Sequence, residues 1–199
     1  MNKQNRFLPT TKDEMNARGW DELDVVLITG DAYIDSPFMG IAVVGRILED
    51  IGLRVGIIGQ PDINSDIDVK RLGEPKLFWG VSGGSIDSMV SNYTATKKFR
   101  NDDDYTPGGK NNKRPDRATL VYTNLIRRYF KNTVPIVLGG IEASLRRLTH
   151  YDYWSNSLRK PILFDSKADY MIYGMGEQAI IDLGLYLKEG KDVKTIAGL

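Results

Sequence analysis

Residues 24–30 read DVVLITG, a short, continuous apolar run that ends in glycine. A run of this kind, rich in β-branched residues, is typical of a strand that is buried on both faces of a parallel sheet. Residues 38–50 follow with apolar side chains at helical spacing, and residues 54–59, RVGIIG, form a second strand-like run. The order strand, helix, strand predicts a right-handed crossover unit.

The same alternation continues along the chain. Further strands are predicted at residues 76–82, 135–138 and 169–173, and further helices at residues 86–93, 117–130, 142–148 and 177–189. Strands that alternate with helices form a mainly parallel sheet with helices on both faces. We therefore predict an α/β fold of the Rossmann-like or flavodoxin-like kind, with a five-stranded sheet in the order 2-1-3-4-5.

Two long stretches interrupt this alternation. Residues 94–116 are polar, charged and broken by glycine and proline, whereas residues 150–167 are rich in aromatic side chains. Loops as long as the first are uncommon inside a compact domain, so it is interpreted either as a mobile excursion or as a lid or docking arm. The second is either a packed excursion or a surface for a partner. The predicted organisation is an N-terminal extension, residues 1–23, packed on one domain, residues 24–199, that carries both insertions.

The composition excludes several kinds of chemistry. The chain has no cysteine, so disulfides, thiolate metal sites, iron–sulfur ligation and cysteine nucleophiles are excluded within these 199 residues. The formal net charge of +1 gives no overall argument for binding to nucleic acid or to an acidic membrane. No apolar run approaches the roughly 18 residues that a membrane helix needs, and the N-terminus lacks the apolar segment of a signal peptide. We expect a cytoplasmic protein without membrane contact.

Glycine ends or follows each predicted strand. In open parallel sheets, ligands bind beyond the carboxyl ends of the strands, where glycine lets a ligand approach main-chain N–H groups and the next helix adds partial positive charge. This pattern predicts a small-molecule site with the candidate residues Gly30, Asp31, Ser82, Gly83, Gly84, Gly139, Gly140, Glu142, Gly174, Gly176 and Glu177. Two explanations that require no ligand stay open. Strand-to-helix turns favour glycine in any case, and Asp87 and Glu142 can serve as helix caps.

Other motifs point to no catalytic centre. Residues 174–179 match the G-x-G-x-x-A pattern of dinucleotide sites, but the match falls at the last predicted strand, without a following ribose-binding acid. The single histidine, His150, lies in the aromatic stretch, where a structural role is the commoner one. Neither a nucleophile elbow nor a P-loop occurs. The sequence offers no catalytic residue and no metal site, and we expect the chain alone not to be catalytic.

Six long sequence blocks occur together in this chain. They are FLPTTKDEMNARGWDELDVVLITGDAYIDSP, GVSGGSIDSMVSNYTA, DDDYTPGGK, KRPDRATLVY, VLGGIEASLRR and HYDYWS. In this order they resemble the N-terminal region of the YgiQ family of radical-SAM proteins, and the resemblance covers about residues 7–190. It depends on long, rare motifs rather than on a generic glycine loop, and is correspondingly specific.

The resemblance implies a domain like the cobalamin-binding domains, followed by a radical-SAM barrel. A CxxxCxxC motif in that barrel binds a 4Fe-4S cluster, which reductively cleaves S-adenosylmethionine. Since this chain has no cysteine, the barrel is expected to be absent from it and to be its partner in a longer protein.

The resemblance leaves cobalamin binding open. Related sequences often have a cobalt-ligating histidine where Ser36 stands, and serine is a poor cobalt ligand, so no axial ligand is expected from this turn. By contrast, the pair Gly139 and Gly140 matches a glycine pair of cobalamin domains. This match supports a likeness of fold.

Three functional hypotheses follow. The first is an accessory domain that shapes a cofactor or substrate pocket over the barrel, with residues 94–116 and the aromatic residues Tyr151, Tyr153 and Trp154 facing the barrel. The second is a stand-alone binding module for a cobalamin-like or phosphate-bearing ligand at the glycine-lined edge. The third, a nucleic-acid module that uses the basic residues of the first insertion, is disfavoured by the neighbouring acids at residues 102–104.

Overall fold

The structure, a computed structural model, describes residues 7–199 and has the predicted parallel sheet. The strands of the described residues are β1 Val25–Thr29, β2 Val55–Gly59, β3 Phe78–Ser82, β4 Ile136–Gly139, β5 His150–Asp152, β6 Ser157–Arg159 and β7 Tyr170–Met171. The main sheet has the order β2-β1-β3-β4-β7, and each of its neighbouring pairs is parallel. This order confirms the flavodoxin-like arrangement.

The five predicted helices are present in the structure. The helices of the described residues are α1 Lys12–Ala17, α2 Gly40–Asp50, α3 Ile67–Lys70, α4 Ser88–Asn92, α5 Ala118–Tyr129, α6 Gly140–Leu145, α7 Ile162–Ser166 and α8 Glu177–Glu189, followed by a 3-10 helix at Val193–Thr195. Of these, the short helices α1, α3 and α7 were not predicted. Among the described residues, no helix combines the length and the apolarity needed to cross a bilayer.

Several predicted elements have different bounds in the structure, and β3 and α4, for example, each begin two residues later than predicted. The strand predicted at residues 169–173 is reduced to Tyr170–Met171, since its sheet pairing ends early and the chain turns at Gly174, whose φ is 69°. The helix predicted at residues 142–148 begins earlier, at Gly140, and ends at Leu145. It follows β4 without a connecting loop, because the positive φ of Gly140, 79°, lets the chain reverse there.

The sheet separates two apolar clusters, one on each face. Alternate residues of a strand point to opposite faces, so Val26 of β1 lies in one cluster and Leu27 in the other. Tyr122 of α5 covers the first face, and Leu183 of α8 covers the second. Burial of apolar surface in both clusters is the main contribution to the stability of the fold. The presence of helices in both clusters confirms the prediction that helices pack on both faces of the sheet.

The described residues before β1 pack on the sheet. Leu8 joins one apolar cluster, while Met15 and Leu23 join the other. The main-chain N–H of Ile57 donates a hydrogen bond of 2.9 Å to the carbonyl of Pro9, which ties this segment to the edge strand β2. The part of the predicted extension before Phe7 lies outside the described residues.

The two insertions pack against each other. Residues 94–116 form a chain of turns, held by the fully buried side chains of Asp103 and Arg114. The aromatic stretch contains the hairpin β5–β6, whose Tyr153 hydroxyl donates a 2.8 Å hydrogen bond to the carbonyl of Ala95. Trp154 packs on Tyr93, with ring centroids 5.3 Å apart. Part of the aromatic stretch thus packs within the domain, whereas Tyr151 remains 59% exposed.

Candidate functional site

A pocket of about 390 Å³ lies at the carboxyl ends of β1, β3 and β4, between α2 and α8. Its volume falls within the range that is usual for small-molecule sites. The sheet contributes Leu27, Gly80 and Val137 to the floor, and the helices contribute the apolar side chains of Ile41 and Ile180. The pocket therefore has an apolar interior, and its glycine-rich mouth is where the crossover topology leaves a crevice.

Most of the predicted site residues meet at this pocket. Those that line it are Asp31, Ser82, Gly84, Gly139, Gly140, Gly174, Gly176 and Glu177. The three that do not are Gly30, Gly83 and Glu142, which pack behind the wall of the pocket. The structure thus brings together strand ends that are more than a hundred residues apart in the sequence.

Gly139 is one of three pocket-lining glycines, with Gly40 and Gly174, that have open space where a side chain would begin. A Cβ atom built there would have no atom within 4 Å, and its φ of −153° is extended backbone that any residue adopts. Gly140 differs, because its φ of 79° favours glycine. Position 139 therefore accepts a side chain without backbone strain, and, because Gly139 lines the pocket, a large side chain there would take up space at the pocket.

The glycine pair after β3, Gly83 and Gly84, lets carboxylate side chains pack directly against the main chain. A Cβ atom on Gly83 would lie 2.5 Å from the Glu142 carboxylate, and one on Gly84 would lie 2.2 Å from the Asp31 carboxylate. A Cβ atom on Gly30 would collide with the carbonyl of Gly83 at 2.0 Å. These glycines are required by what packs behind them rather than by a ligand alone.

Glu142 links three helices from a fully buried position. Its carboxylate oxygens accept hydrogen bonds from the N–H groups of Ser88, at 2.9 Å, and Thr119, at 3.0 Å. These groups lie in the first turns of α4 and α5, where main-chain donors have no partner within the helix. The sequence-based alternative of a capping role agrees with this geometry, although the caps belong to two other helices.

Asp31 fixes the first insertion to the sheet edge. Its side chain, 2% exposed, forms an ion pair of 2.9 Å with Arg114, which is fully buried. Arg114 also pairs with Asp103 and donates a hydrogen bond of 3.0 Å to the carbonyl of Gly83. Arg114 thus holds the carboxylates of Asp31 and Asp103 together at the wall of the pocket, with one positive charge for two acidic groups.

Two helix N-termini at the pocket lack side-chain caps. The N-cap of α2 is Met39 and that of α8 is Gly176, and neither makes a side-chain capping bond. Uncapped N–H groups at a helix start attract acceptor or anionic groups of a ligand. At α8 the carboxylate of Glu177 competes for that role, so the α2 side of the mouth is the better place for a ligand's acceptor group.

Sequence reasoning missed the apolar wall of the pocket. Ile41 and Val44 belong to the apolar side chains at helical spacing in residues 38–50, and they pack on the core but also line the pocket. Phe38, at the mouth, is 92% exposed. Helical spacing indicates which face turns inward but not whether the space in front of that face is filled, so no pattern in the sequence separates these residues from the core.

A second cavity lies outside this site. It has a volume of about 10 Å³ and is bordered by Arg117, Arg146 and His150. That space suffices for about one water molecule. Across residues 7–199, no three histidine, aspartate or glutamate side chains gather as a metal site would require.

The chain has close relatives among curated proteins. The family profile Radical SAM N-terminal matches residues 7–199. A UPF0313 protein of Fusobacterium nucleatum is 61% identical over 195 residues, which are 98% of this chain and 34% of the relative. A UPF0313 protein of Thermotoga neapolitana is 58% identical over 196 residues, again 34% of its length. The chain spans about a third of the length of these relatives.

Solved structures share the fold. Two structures of the radical S-adenosylmethionine methyltransferase TsrM from Kitasatospora setae match 88% of this chain, with TM-scores of 0.55 and 0.54. The first contains tryptophan and a SAM analogue, and the second contains cobalamin and a [4Fe-4S] cluster. The matches cover 28% and 26% of those chains at 19% and 20% identity, so they establish likeness of fold.

The profile match and the high identities confirm the resemblance to YgiQ-type radical-SAM proteins that the sequence blocks indicated. The matched residues include the whole sheet and all the strand ends that border the pocket. This chain belongs to the Radical SAM N-terminal family.

Proposed function

We propose that this chain is the accessory domain of a radical-SAM protein and that its pocket binds a small molecule for that protein. The single observation that carries the proposal is the pocket itself, with an apolar floor and a mouth of glycines and uncapped helix N-termini at the carboxyl edge of the sheet. The family match supports the accessory role, and the chain by itself has no cysteine for a cluster.

The pocket suits a ligand with a flat apolar part and a few polar groups. An aromatic ring would lie against Leu27 and Val137, where it loses contact with water. Its polar groups would meet the hydroxyls of Thr29 and Ser82, which point to each other at 3.4 Å. A cobalamin-like or phosphate-bearing compound has both parts, and a structure of similar fold contains cobalamin.

The residues present do not fit a cobalt ligand. Ser36 lies in the turn where a histidine would be needed, and the chain's one histidine, His150, is on β5 and outside the pocket lining. Any cobalamin would therefore be held through its organic part, without an axial bond from this turn. No chemical step of this chain depends on the cobalt.

The test is equilibrium dialysis of the chain against two probes, hydroxocobalamin and 5′-AMP. Gly139→Ala should bind as the native chain does, whereas Gly139→Phe should place a ring in the pocket and abolish saturable binding of the preferred probe. Circular dichroism should show equal folding of both variants, because position 139 has room for a side chain. Equal binding by native chain and Gly139→Phe would contradict the proposal, as would no saturable binding of either probe.

A stand-alone binding module is the second candidate, since the pocket is complete within the described residues. Unlike an accessory domain, a stand-alone module would bind its ligand without any further polypeptide. Dialysis with a full-length protein that carries this chain separates the two: an accessory domain should bind more tightly there, whereas a stand-alone module should bind equally in both forms.

A further inference from the structure

Helix α6 has a charged side chain towards the interior and apolar side chains towards solvent. Its buried residues include the carboxylate of Glu142, whereas Ile141 and Leu145 are 43% and 60% exposed. Positions four apart lie on one side of a helix, so these two side chains form one apolar face towards solvent. A surface helix normally has the reverse arrangement, with apolar residues inside and charged residues outside.

The apolar face continues beyond the helix. Leu148, just after α6, is 66% exposed, and Met175, in the turn before α8, is 88% exposed. The turn is fixed to α6, because the N–H of Gly174 donates a hydrogen bond of 3.2 Å to the Ser144 hydroxyl. We call the surface formed by Ile141, Leu145, Leu148, Tyr173 and Met175 the α6 face. Arg147 lies over the Tyr173 ring at 5.6 Å, so a cation borders this surface. Several large apolar side chains exposed around one helix mark a candidate interaction site.

We propose that the α6 face is the surface on which the C-terminal part of the longer protein packs. The inference rests on the proposed accessory role. About two thirds of the length of the curated relatives lies outside the matched region, which supplies a covalently attached partner large enough to cover the face. Covalent attachment also gives that partner a high effective concentration at the face.

The α6 face lies next to the mouth of the pocket. Ile141 follows Gly140, and Met175 lies between Gly174 and Gly176, and these three glycines all line the pocket. A polypeptide seated on the α6 face therefore borders the mouth of the pocket and can present its own groups to a bound ligand. The aromatic stretch is less suited to that role, because Tyr153 and Trp154 pack against each other and on the first insertion.

Hydroxyl-radical footprinting tests the proposal. The 199-residue chain is compared with a full-length protein that carries it as its N-terminal part. Labelling of Leu145, Leu148 and Met175 should fall severalfold in the full-length protein. Ile67, which is 74% exposed on α3, is the internal control and should be labelled equally in both.

A matched pair of variants completes the test. Leu145→Asp in the full-length protein should restore labelling of Leu148 and Met175, whereas Ile67→Asp should not. Unchanged labelling of the face in the full-length protein would overturn the proposal, as would protection confined to Leu158 of the hairpin. Protection of the isolated chain that grows with its concentration would assign the face to a second copy instead. Failure of ligand binding in the dialysis experiment leaves these readings intact, because footprinting requires no ligand.

Discussion

Replacement of Glu142 by alanine should destabilise the domain strongly. The change removes the acceptor for two buried donors, the N–H groups of Ser88 and Thr119. Each buried donor left without a partner costs about 1–3 kcal/mol, which gives about 2–6 kcal/mol for the pair. Since domains of this kind are stable by about 5–15 kcal/mol, the variant should lose a large fraction of its stability.

The assay is urea unfolding followed by tryptophan fluorescence. The chain has three tryptophans, of which Trp79 is fully buried and donates its indole N–H to the Thr133 hydroxyl, so the total emission includes a report on the core. Glu142→Gln keeps one acceptor oxygen and should lose about half as much, roughly 1–3 kcal/mol. The exposed Glu74→Ala is the matched control and should stay within about 0.5 kcal/mol of the native chain.

A free energy of unfolding for Glu142→Ala within about 0.5 kcal/mol of the native value would show that the two donors had found other partners, contrary to this prediction. Amide hydrogen exchange gives an independent reading in the less damaged Glu142→Gln variant. The amides of Ser88 and Thr119 should exchange faster there, whereas the amide of Ile57, bonded to Pro9, should not change.

Two further predictions concern the ion pairs of the insertions. Arg114→Ala leaves Asp31 and Asp103 buried without their cation, so the free energy of unfolding should fall by about 3–5 kcal/mol and residues 94–116 should become open to limited proteolysis; an unchanged cleavage pattern would contradict this. Burial raises the pKa of Asp152, but hydrogen bonds from Ser155 and Arg117 outweigh that effect and lower it from 3.8 to about 2. The stability that this carboxylate adds is therefore present above pH 3.8 and is lost as the pH falls towards 2, so Asp152→Asn should flatten the unfolding free energy over that interval, and parallel curves would refute the assignment.

The sheet could be predicted because its causes are local. Each of the first four strands is a short apolar run that ends at or just before glycine, and the crossover rule then leaves few strand orders to choose from. The same pattern predicted a ligand site at the carboxyl edge of the sheet, and eight of the eleven candidate residues do line the pocket there.

The polar packing behind the pocket could not be predicted. Glu142 reaches Ser88 across 54 positions of the sequence and Thr119 across 23, and no local pattern encodes such contacts. The hairpin β5–β6 was hidden for a related reason. Its strands have three residues each, and the chain turns at Asn156, whose φ is 50°. Three residues are too few for an alternation of apolar and polar side chains to predict a strand.

The central claim is that a small molecule binds in the pocket at the carboxyl edge of the sheet. Two-dimensional ¹⁵N NMR of the chain, titrated with hydroxocobalamin and separately with 5′-AMP, tests it most directly, with His150→Gln measured in parallel to remove the one imidazole that could bind cobalt. We expect saturable shifts of the amides of Gly84, Gly139 and Gly176 with at least one probe, unchanged in the His150→Gln variant. Shifts confined to the neighbourhood of His150 and lost in the variant, or no shift among the pocket amides with either probe, would contradict it.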